Sequence, residues 1–315
     1  MKGIVLVPVI LGVGLLAVGG TLAMVSFTNS KKEAPVTTTH EIEESFDKID
    51  IDVSISDVEF VLSADEKQKV VCEETKEVMH DVKVEDHTLK VKYEDKRPWY
   101  ETLFNWSFTK RSVTVYLSSL VYDDVTVHTD TGVIDSDISL QTTTLRCDTS
   151  TGRITLTNIK SEKMSITAST GDVSVSNSKM ETLNVKTSTG RITLREDEAS
   201  KDITLKASTG DIRAESVKGE SLDSQCSTGN VNFKNVIINK HMGIKTSTGN
   251  IRLEDCDAET LTLKSDTGSI KGNLLTSKDF YASSDLGKVT VPHSTTGGRC
   301  EIETDTGDIN ITVNE

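Results

Sequence analysis

Aromatic side chains and paired cysteines are scarce in this sequence. The chain of 315 residues contains two Trp, five Tyr and seven Phe, which makes it 4% aromatic. A chain of this length would ordinarily form about two globular domains. The hydrophobic cores of two such domains would ordinarily contain more aromatic residues than this chain has. We therefore expect an architecture that is thinner than a globule.

Cysteine, histidine and charge exclude several classes of protein. The five Cys stand far apart without a CxxC pair and the six His are scattered, so the sequence fits neither a disulfide framework nor a zinc site. It contains no HExxH, GxSxG, P-loop or GxGxxG motif. The net charge of −14 argues against nucleic-acid binding, because neutralising phosphates requires an excess of Lys and Arg.

One long run of residues without charge extends from Gly3 to Phe27. It is long enough to cross a bilayer core as a helix. A cleavable signal peptide is the rival interpretation, but its apolar region would be shorter and would precede a site with small residues. We expect an uncleaved anchor over residues 1–28 with residues 31–315 outside the cytoplasm, because large domains translocate with little regard to charge. Residues 29–45 lack apolar periodicity and are interpreted as an exposed linker.

The dominant pattern is a tripeptide, usually Ser-Thr-Gly or Asp-Thr-Gly, that recurs every 19 or 20 residues. Self-similarity at this period indicates a solenoid. We interpret the glycine as a sharp corner in each coil, where a positive φ is costly for any other residue. The ten corner glycines are Gly132, Gly152, Gly171, Gly190, Gly210, Gly229, Gly249, Gly268, Gly287 and Gly307.

Apolar residues alternate with polar ones on both sides of each glycine. The residue at offset +2 is always Ile or Val, and offsets −7, −5 and +4 are mostly apolar. Two short strands joined at a corner, each with one buried face, account for this alternation. Offset −3 is always small, which a narrow coil interior explains. We therefore predict an all-β fold, a single-stranded β-solenoid (β-helix) of 19–20-residue coils behind the transmembrane helix, regular over residues 121–315.

Residues 46–120 form a less regular β segment that we expect to start the same solenoid. It contains an insertion, residues 97–111, that is rich in aromatic side chains. The insertion either caps the first coil, as solenoid ends require, or presents its aromatic residues to lipid or a partner. Those residues are Trp99, Tyr100, Phe104, Trp106 and Phe108.

Together, the glycine-cornered STG repeats, the irregular leading segment, the Trp-containing insertion and the N-terminal anchor resemble a bacterial family of β-strand repeat proteins known as putative adhesins. The resemblance covers about residues 45–315 and rests on structural motifs. It implies a β-solenoid without enzymatic activity that is linked to the Gram-positive cell envelope and to envelope stress. The biochemical role of that family is unknown.

Two patterns are also found in catalytic or metal-binding sites, and each has a structural interpretation as well. Asp-Thr-Gly is also the aspartic protease signature, but Ser replaces Asp in most coils, so it is interpreted as a turn. Asp266, Asp285 and Asp305 share offset −2 and form a column of carboxylates that either binds a cation such as calcium or is simply solvated. The alternating Arg153, Asp172, Arg191 and Asp211 are interpreted as a surface ion-pair ladder. No other cofactor is expected.

Two classes of function remain open. The first is a non-catalytic interaction, scaffold or adhesin-like protein on the outer face of the cell membrane, with an envelope protein or polymer as its partner. The second is a carbohydrate-active β-helix enzyme, a lyase or hydrolase, which would need converging carboxylates or basic residues in a groove. We expect residues 300–315 to form the last coil. At its open edge, either charged side chains prevent pairing with further strands or a second copy of the chain covers the edge.

The predicted anchor is tested by protease accessibility. Protease added to intact protoplasts should digest the chain beyond about residue 30, because the β domain would lie outside the membrane. Protection of the domain while the membrane is sealed would show that the orientation is wrong.

Overall fold

In a computed structural model, residues 34–96 and 111–314 are described, and they form strands joined by corners and turns. The described residues contain no helix able to span a membrane. The segment from Gly3 to Phe27 and most of the aromatic insertion, residues 97–110, lie outside the described residues.

The strands are numbered in chain order. They are β1 Val36–Ile42, β2 Lys48–Val53, β3 Ser56–Leu62, β4 Gln68–Glu74, β5 Val78–Glu85, β6 Thr88–Asp95, β7 Arg111–Leu117, β8 Val121–Thr131, β9 Ile134–Ser136, β10 Gln141–Thr151, β11 Ile154–Thr157, β12 Lys160–Thr170, β13 Val173–Ser176, β14 Lys179–Thr189, β15 Ile192–Arg195, β16 Glu198–Thr209, β17 Ile212–Glu215, β18 Lys218–Thr228, β19 Val231–Lys234, β20 Ile237–Thr248, β21 Ile251–Thr267, β22 Ile270–Leu274, β23 Lys278–Leu286, β24 Val289–Thr290, β25 Gly298–Thr306 and β26 Ile309–Val313.

The predicted β-solenoid is confirmed. From β8 onward each coil contributes a long strand that ends at the corner glycine and a short strand that follows it. The long strands pair in parallel as one sheet, which we call sheet 1, and the short strands pair in parallel as sheet 2. Residues at the same offset stand opposite each other, as Ile192 does between Val173 and Ile212.

The core is the space between the two sheets, and its side chains are those at the predicted inward offsets. Ile134, Ile192 and Ile270, all at offset +2, are fully buried, as are Val185 and Leu263 at offset −5. All five cysteines are free and buried. Burial raises the pKa of the Cys256 thiol to about 11, so the thiol stays protonated at neutral pH.

The residue at offset −3 has a second role beyond small size. Where it is Ser, Thr or Cys, its hydroxyl or thiol donates a hydrogen bond of 2.9–3.5 Å to a corner carbonyl of the adjacent coil, for example from Thr246 to Gly229 and from Ser265 to Gly249. The bond gives that carbonyl a hydrogen-bond partner, which stabilises the corner.

The expected ion-pair ladder is wrong. Instead of pairing with arginine in the next coil, Asp172 accepts a hydrogen bond from the backbone N–H of Arg191 at 2.7 Å, and Asp211 accepts one from the N–H of Asn230 at 3.0 Å. Asn230 and Asn250 continue the series toward the following coils. The column therefore binds corner N–H groups of the next coil, a backbone role that a pattern of alternating charge does not indicate.

The linker predicted over residues 29–45 is corrected, because it contains strand β1. This strand pairs antiparallel with β4, and β4 pairs antiparallel with β7. Thr38, His40 and Ile42 face inward and are half-buried. Only one of these three side chains is apolar, so hydrophobic periodicity does not detect the strand.

The order of coils at both ends departs from chain order. At the N-terminal end, β2 and β3 lie between β8–β9 and β6–β7. At the other end, β25 and β26 lie between β21–β22 and β23–β24. The expectation that residues 300–315 form the terminal coil is therefore wrong: the coil at the C-terminal end of the stack is residues 278–290. Equivalent apolar patterns let either coil stack on β21, and the chain pattern does not distinguish them.

The assignment of inward and outward faces can be tested at two adjacent residues. Ile192→Asp should lower the free energy of unfolding by about 4 kcal/mol, because it buries an unpaired charge. Thr193→Asp, on the opposite face, should change it by less than about 0.5 kcal/mol. Thermal unfolding of both variants measures the difference, and equal shifts in melting temperature would refute the face assignment.

Candidate functional site

The outer face of sheet 1 carries a groove that runs along the solenoid axis. Its floor and walls come from residues at offsets −4, −3 and −2 of successive coils. We call it the lysine groove, and its lining residues are Thr167, Ala168, Ser169, Lys186, Thr187, Ser188, Lys206, Ala207, Ser208, Gln225, Cys226, Ser227, Lys245 and Ser247.

The groove follows from the small residues at offset −3. Ala168, Ala207 and Cys226 add little volume at the floor, while the residues on either side point outward. A serine stands on one side in each of these coils, and threonine, lysine or glutamine stands on the other. The repeat therefore produces a continuous trough with one basic wall and one hydroxyl wall.

The basic wall consists of Lys186, Lys206 and Lys245, with Gln225 between the last two. The parallel register places these residues directly opposite one another in adjacent strands. At about 4.8 Å per strand, the outer two lysines are roughly 14 Å apart. Lys264 is next in the column, and it forms an ion pair with Glu303 at 2.8 Å.

The three groove lysines are exposed, and they make no ion pair within the described part of the chain. Some other lysines on the same sheet do pair: Lys179 lies 3.0 Å from Glu198, and Lys240 pairs with Glu220. The groove is thus a local site of free positive charge on a chain whose net charge is −14. The residues that line it include no carboxylate, so the charge it presents is positive.

A second cluster of polar residues is buried at the N-terminal end. His80 Nε2 lies 3.3 Å from Ser56 Oγ, and His80 Nδ1 lies 3.2 Å from Glu74 Oε1. Burial lowers the pKa of His80, although Glu74 opposes the shift. This connectivity is that of a Ser-His-acid triad, but the Ser56 side chain is completely buried. A nucleophile must reach its substrate, so the network is structural.

The residues singled out from the sequence are placed as follows. The ten corner glycines stack as predicted, each directly against the corner of an adjacent coil. Asp266, Asp305 and Asp285 stand in that order on neighbouring strands and are all exposed. Among the described residues, the set whose potential metal-ligating atoms lie within 4.8 Å of one another is instead His40, Cys72 and Glu74. The calcium site at the aspartate column stays a prediction.

The aromatic residues Trp99, Tyr100, Phe104, Trp106 and Phe108 lie outside the described residues, so both interpretations of the insertion stay predictions. The open end of the stack is residues 278–290, in which each strand pairs on one side within the part of the chain described. Leu286 is 71% exposed there, and Tyr281 and Val289 are also exposed. Self-association through this end stays a prediction.

Two features of the sites escaped the sequence analysis. The lysine column was visible at offset −4 once the register was set, but its significance depends on the absence of neighbouring acids, which only the fold reveals. The grouping of His40 with Cys72 depends on strand β1, which hydrophobic periodicity did not indicate.

The solved structures that match this chain include two putative adhesins and a putative cell adhesion protein. A putative adhesin from Parabacteroides merdae ATCC 43184 is 14% identical, with a TM-score of 0.46, and the match covers 90% of this chain and 98% of that one. A putative adhesin from Bacteroides fragilis NCTC 9343 is also 14% identical, with a TM-score of 0.43 and coverage of 90% and 98%. A putative cell adhesion protein from Clostridium sporogenes ATCC 15579 is 12% identical, with a TM-score of 0.21 and coverage of 89% and 100%.

No curated protein matches the chain. The model of the Toastrack DUF4097 family matches residues 46–218 and 181–315, which together span all of the solenoid. The glycine-cornered coils and the irregular leading strands lie within these limits. The chain therefore belongs to the Toastrack DUF4097 family.

Proposed function

We propose that this protein is a non-catalytic, adhesin-like protein of the cell envelope that binds a linear anionic polymer in the lysine groove. The observation that carries the proposal is the in-register row of Lys186, Lys206 and Lys245, which have no acidic partners among the described residues. A free ammonium group attracts phosphate as a point charge and does not require a fixed geometry.

The shape of the groove favours a linear polymer over a small molecule. Similar side chains recur at successive strands, so the surface repeats along the solenoid axis. A polymer of phosphodiester-linked units can place successive charges beside successive lysines, while its hydroxyl groups meet the serine wall. Each contact is weak, and several contacts on one chain add up through effective concentration.

The membrane anchor and the envelope location form part of the proposal. The uncharged run from Gly3 to Phe27 supports a single-pass anchor with the solenoid outside the cytoplasm. The wall polymers of the envelope are then within reach of the groove. A role in the envelope-stress response is consistent with the family resemblance.

The alternative, a carbohydrate-active enzyme, has less support. Glycoside hydrolysis uses two carboxyl groups on either side of the bond that breaks. The lining of the groove supplies hydroxyl, amide, thiol and ammonium groups, and the buried Ser56–His80–Glu74 network is closed to a polysaccharide.

Binding of poly(glycerol phosphate) to the full-length protein in detergent micelles tests the proposal. The triple variant Lys186→Gln, Lys206→Gln and Lys245→Gln should bind about tenfold more weakly at low salt, since three lost contacts of roughly 0.5 kcal/mol approach 1.4 kcal/mol. The affinity of the unchanged protein should fall as salt is added, because salt screens the charges.

The matched control changes three exposed lysines of sheet 1 that are paired with glutamates, Lys179→Gln, Lys201→Gln and Lys240→Gln. It alters the net charge equally and should keep affinity within about twofold. Equal weakening by both triple variants would contradict the groove, and so would binding to anionic lipid vesicles with no binding to the polymer.

A further inference from the structure

Three potential metal ligands meet at the N-terminal end of the solenoid, away from the lysine groove. One ligand atom each from His40, Cys72 and Glu74 lies within 4.8 Å of the other two. His40 belongs to edge strand β1, and the other two belong to β4. Alternate residues of these antiparallel strands face inward, and this alternation brings the three side chains to the same side.

The chemistry of the three groups suits zinc. Imidazole, thiolate and carboxylate are the ligands that Zn²⁺ takes in proteins, at about 2.0–2.3 Å from the metal. A tetrahedral ion needs ligand atoms roughly 3.3–3.8 Å apart by those bond lengths. The three atoms would therefore move by about 1 Å, which side-chain rotation can supply without moving the strands.

A buried ring nitrogen points to a missing ligand. His40 Nε2 is shielded from solvent, and it has no hydrogen-bond partner among the described residues. Buried polar atoms are rarely left without a partner, and an unseen ion is one of the recognised explanations. His40 itself remains half-buried, so an ion can reach the cluster past the edge strand.

The carboxylate is already held in place by its neighbour. The backbone N–H of His80 donates to Glu74 Oε1 at 2.6 Å, and His80 Nδ1 lies 3.2 Å from the same oxygen. Such outer contacts orient metal ligands and are a regular feature of zinc sites. In this site the imidazole of His80 would position the Glu74 carboxylate and would not bind the metal itself.

Charge within the cluster is compatible with a divalent ion. Binding would exchange the thiol proton for the metal, so that a Zn–S bond forms as the S–H bond breaks and the proton passes to solvent. The buried Arg111 on β7 is the neighbouring cation that opposes binding.

We propose that His40, Cys72 and Glu74 bind one zinc ion that fastens edge strand β1 to β4. The ion would fix the strand that leads from the proposed anchor into the solenoid. This inference is independent of the proposed function of the lysine groove.

Cobalt titration of the full-length protein, purified in detergent and stripped with chelator, tests the site. Co²⁺ takes the place of zinc and reports a thiolate ligand through a charge-transfer band. We expect one equivalent of Co²⁺ per chain, a band that Zn²⁺ abolishes, and loss of the band in Cys72→Ser. The control Cys300→Ser, at a buried cysteine distant from the cluster, should retain it.

A second variant separates the loss of a zinc ligand from an effect on folding. His40→Gln lies on a half-buried edge strand, should fold normally by circular dichroism, and should weaken zinc affinity by at least tenfold in competition with a chromophoric chelator. The absence of a charge-transfer band in the unchanged protein would overturn the proposal. It would also be overturned if Cys72→Ser kept the band or if folded His40→Gln bound zinc with unchanged affinity.

Discussion

The close approach of backbone to backbone at the glycine corners is the constraint on which the rest of the structure depends. A Cβ atom added at any of the ten corner glycines would lie 1.7–2.3 Å from a corner carbonyl oxygen of an adjacent coil. No side chain fits in that space, and most of these glycines also adopt a positive φ between 133° and 158°. The N–H groups of eight corner glycines donate to a threonine carbonyl of the next coil in the stack, for example from Gly190 to Thr209 at 2.9 Å, and the N–H of Gly307 donates to the Leu286 carbonyl. The corners therefore fix both the spacing of the coils and their register.

Once the register is fixed, each offset of the repeat becomes a column of similar side chains. The inward columns of Ile, Val and Leu form a narrow core between the two sheets. A core this narrow needs few aromatic side chains. The column at offset −3 supplies hydroxyl groups to corner carbonyls, and the column after the glycine supplies carboxylate and amide oxygens to corner N–H groups. Outward columns become continuous surfaces instead. The lysine groove is one of these, and its proposed function depends on the same spacing that stabilises the fold.

The sequence was sufficient to predict the regular part of the fold, because glycine position and two-residue alternation are local signals. It was insufficient at the ends. The coil formed by β25 and β26 has the same apolar pattern as the coil formed by β23 and β24, so pattern alone could not predict which lies at the end. A second position with a left-handed backbone was also not predicted. Asn158, Asn177 and Ser216 each stand six positions after a corner glycine and adopt left-handed φ values of 51–62°. The aspartate column was visible in the sequence, but the His40–Cys72–Glu74 cluster was not, because its residues meet through an antiparallel pairing of strands that are distant in the chain.

The central claim, that corner backbone contact sets the fold, is tested most directly by comparing two glycine-to-alanine variants by thermal and urea unfolding. Gly171→Ala places a Cβ 1.7 Å from the Gly152 carbonyl oxygen and should lower the free energy of unfolding by at least about 3 kcal/mol. Gly243→Ala, within a strand, meets the Asp223 carboxylate at 2.7 Å, which is the mobile end of a side chain. Its effect should stay within about 1 kcal/mol, since alanine also lowers the conformational entropy of the unfolded chain. Similar losses of stability in the two variants would contradict the account.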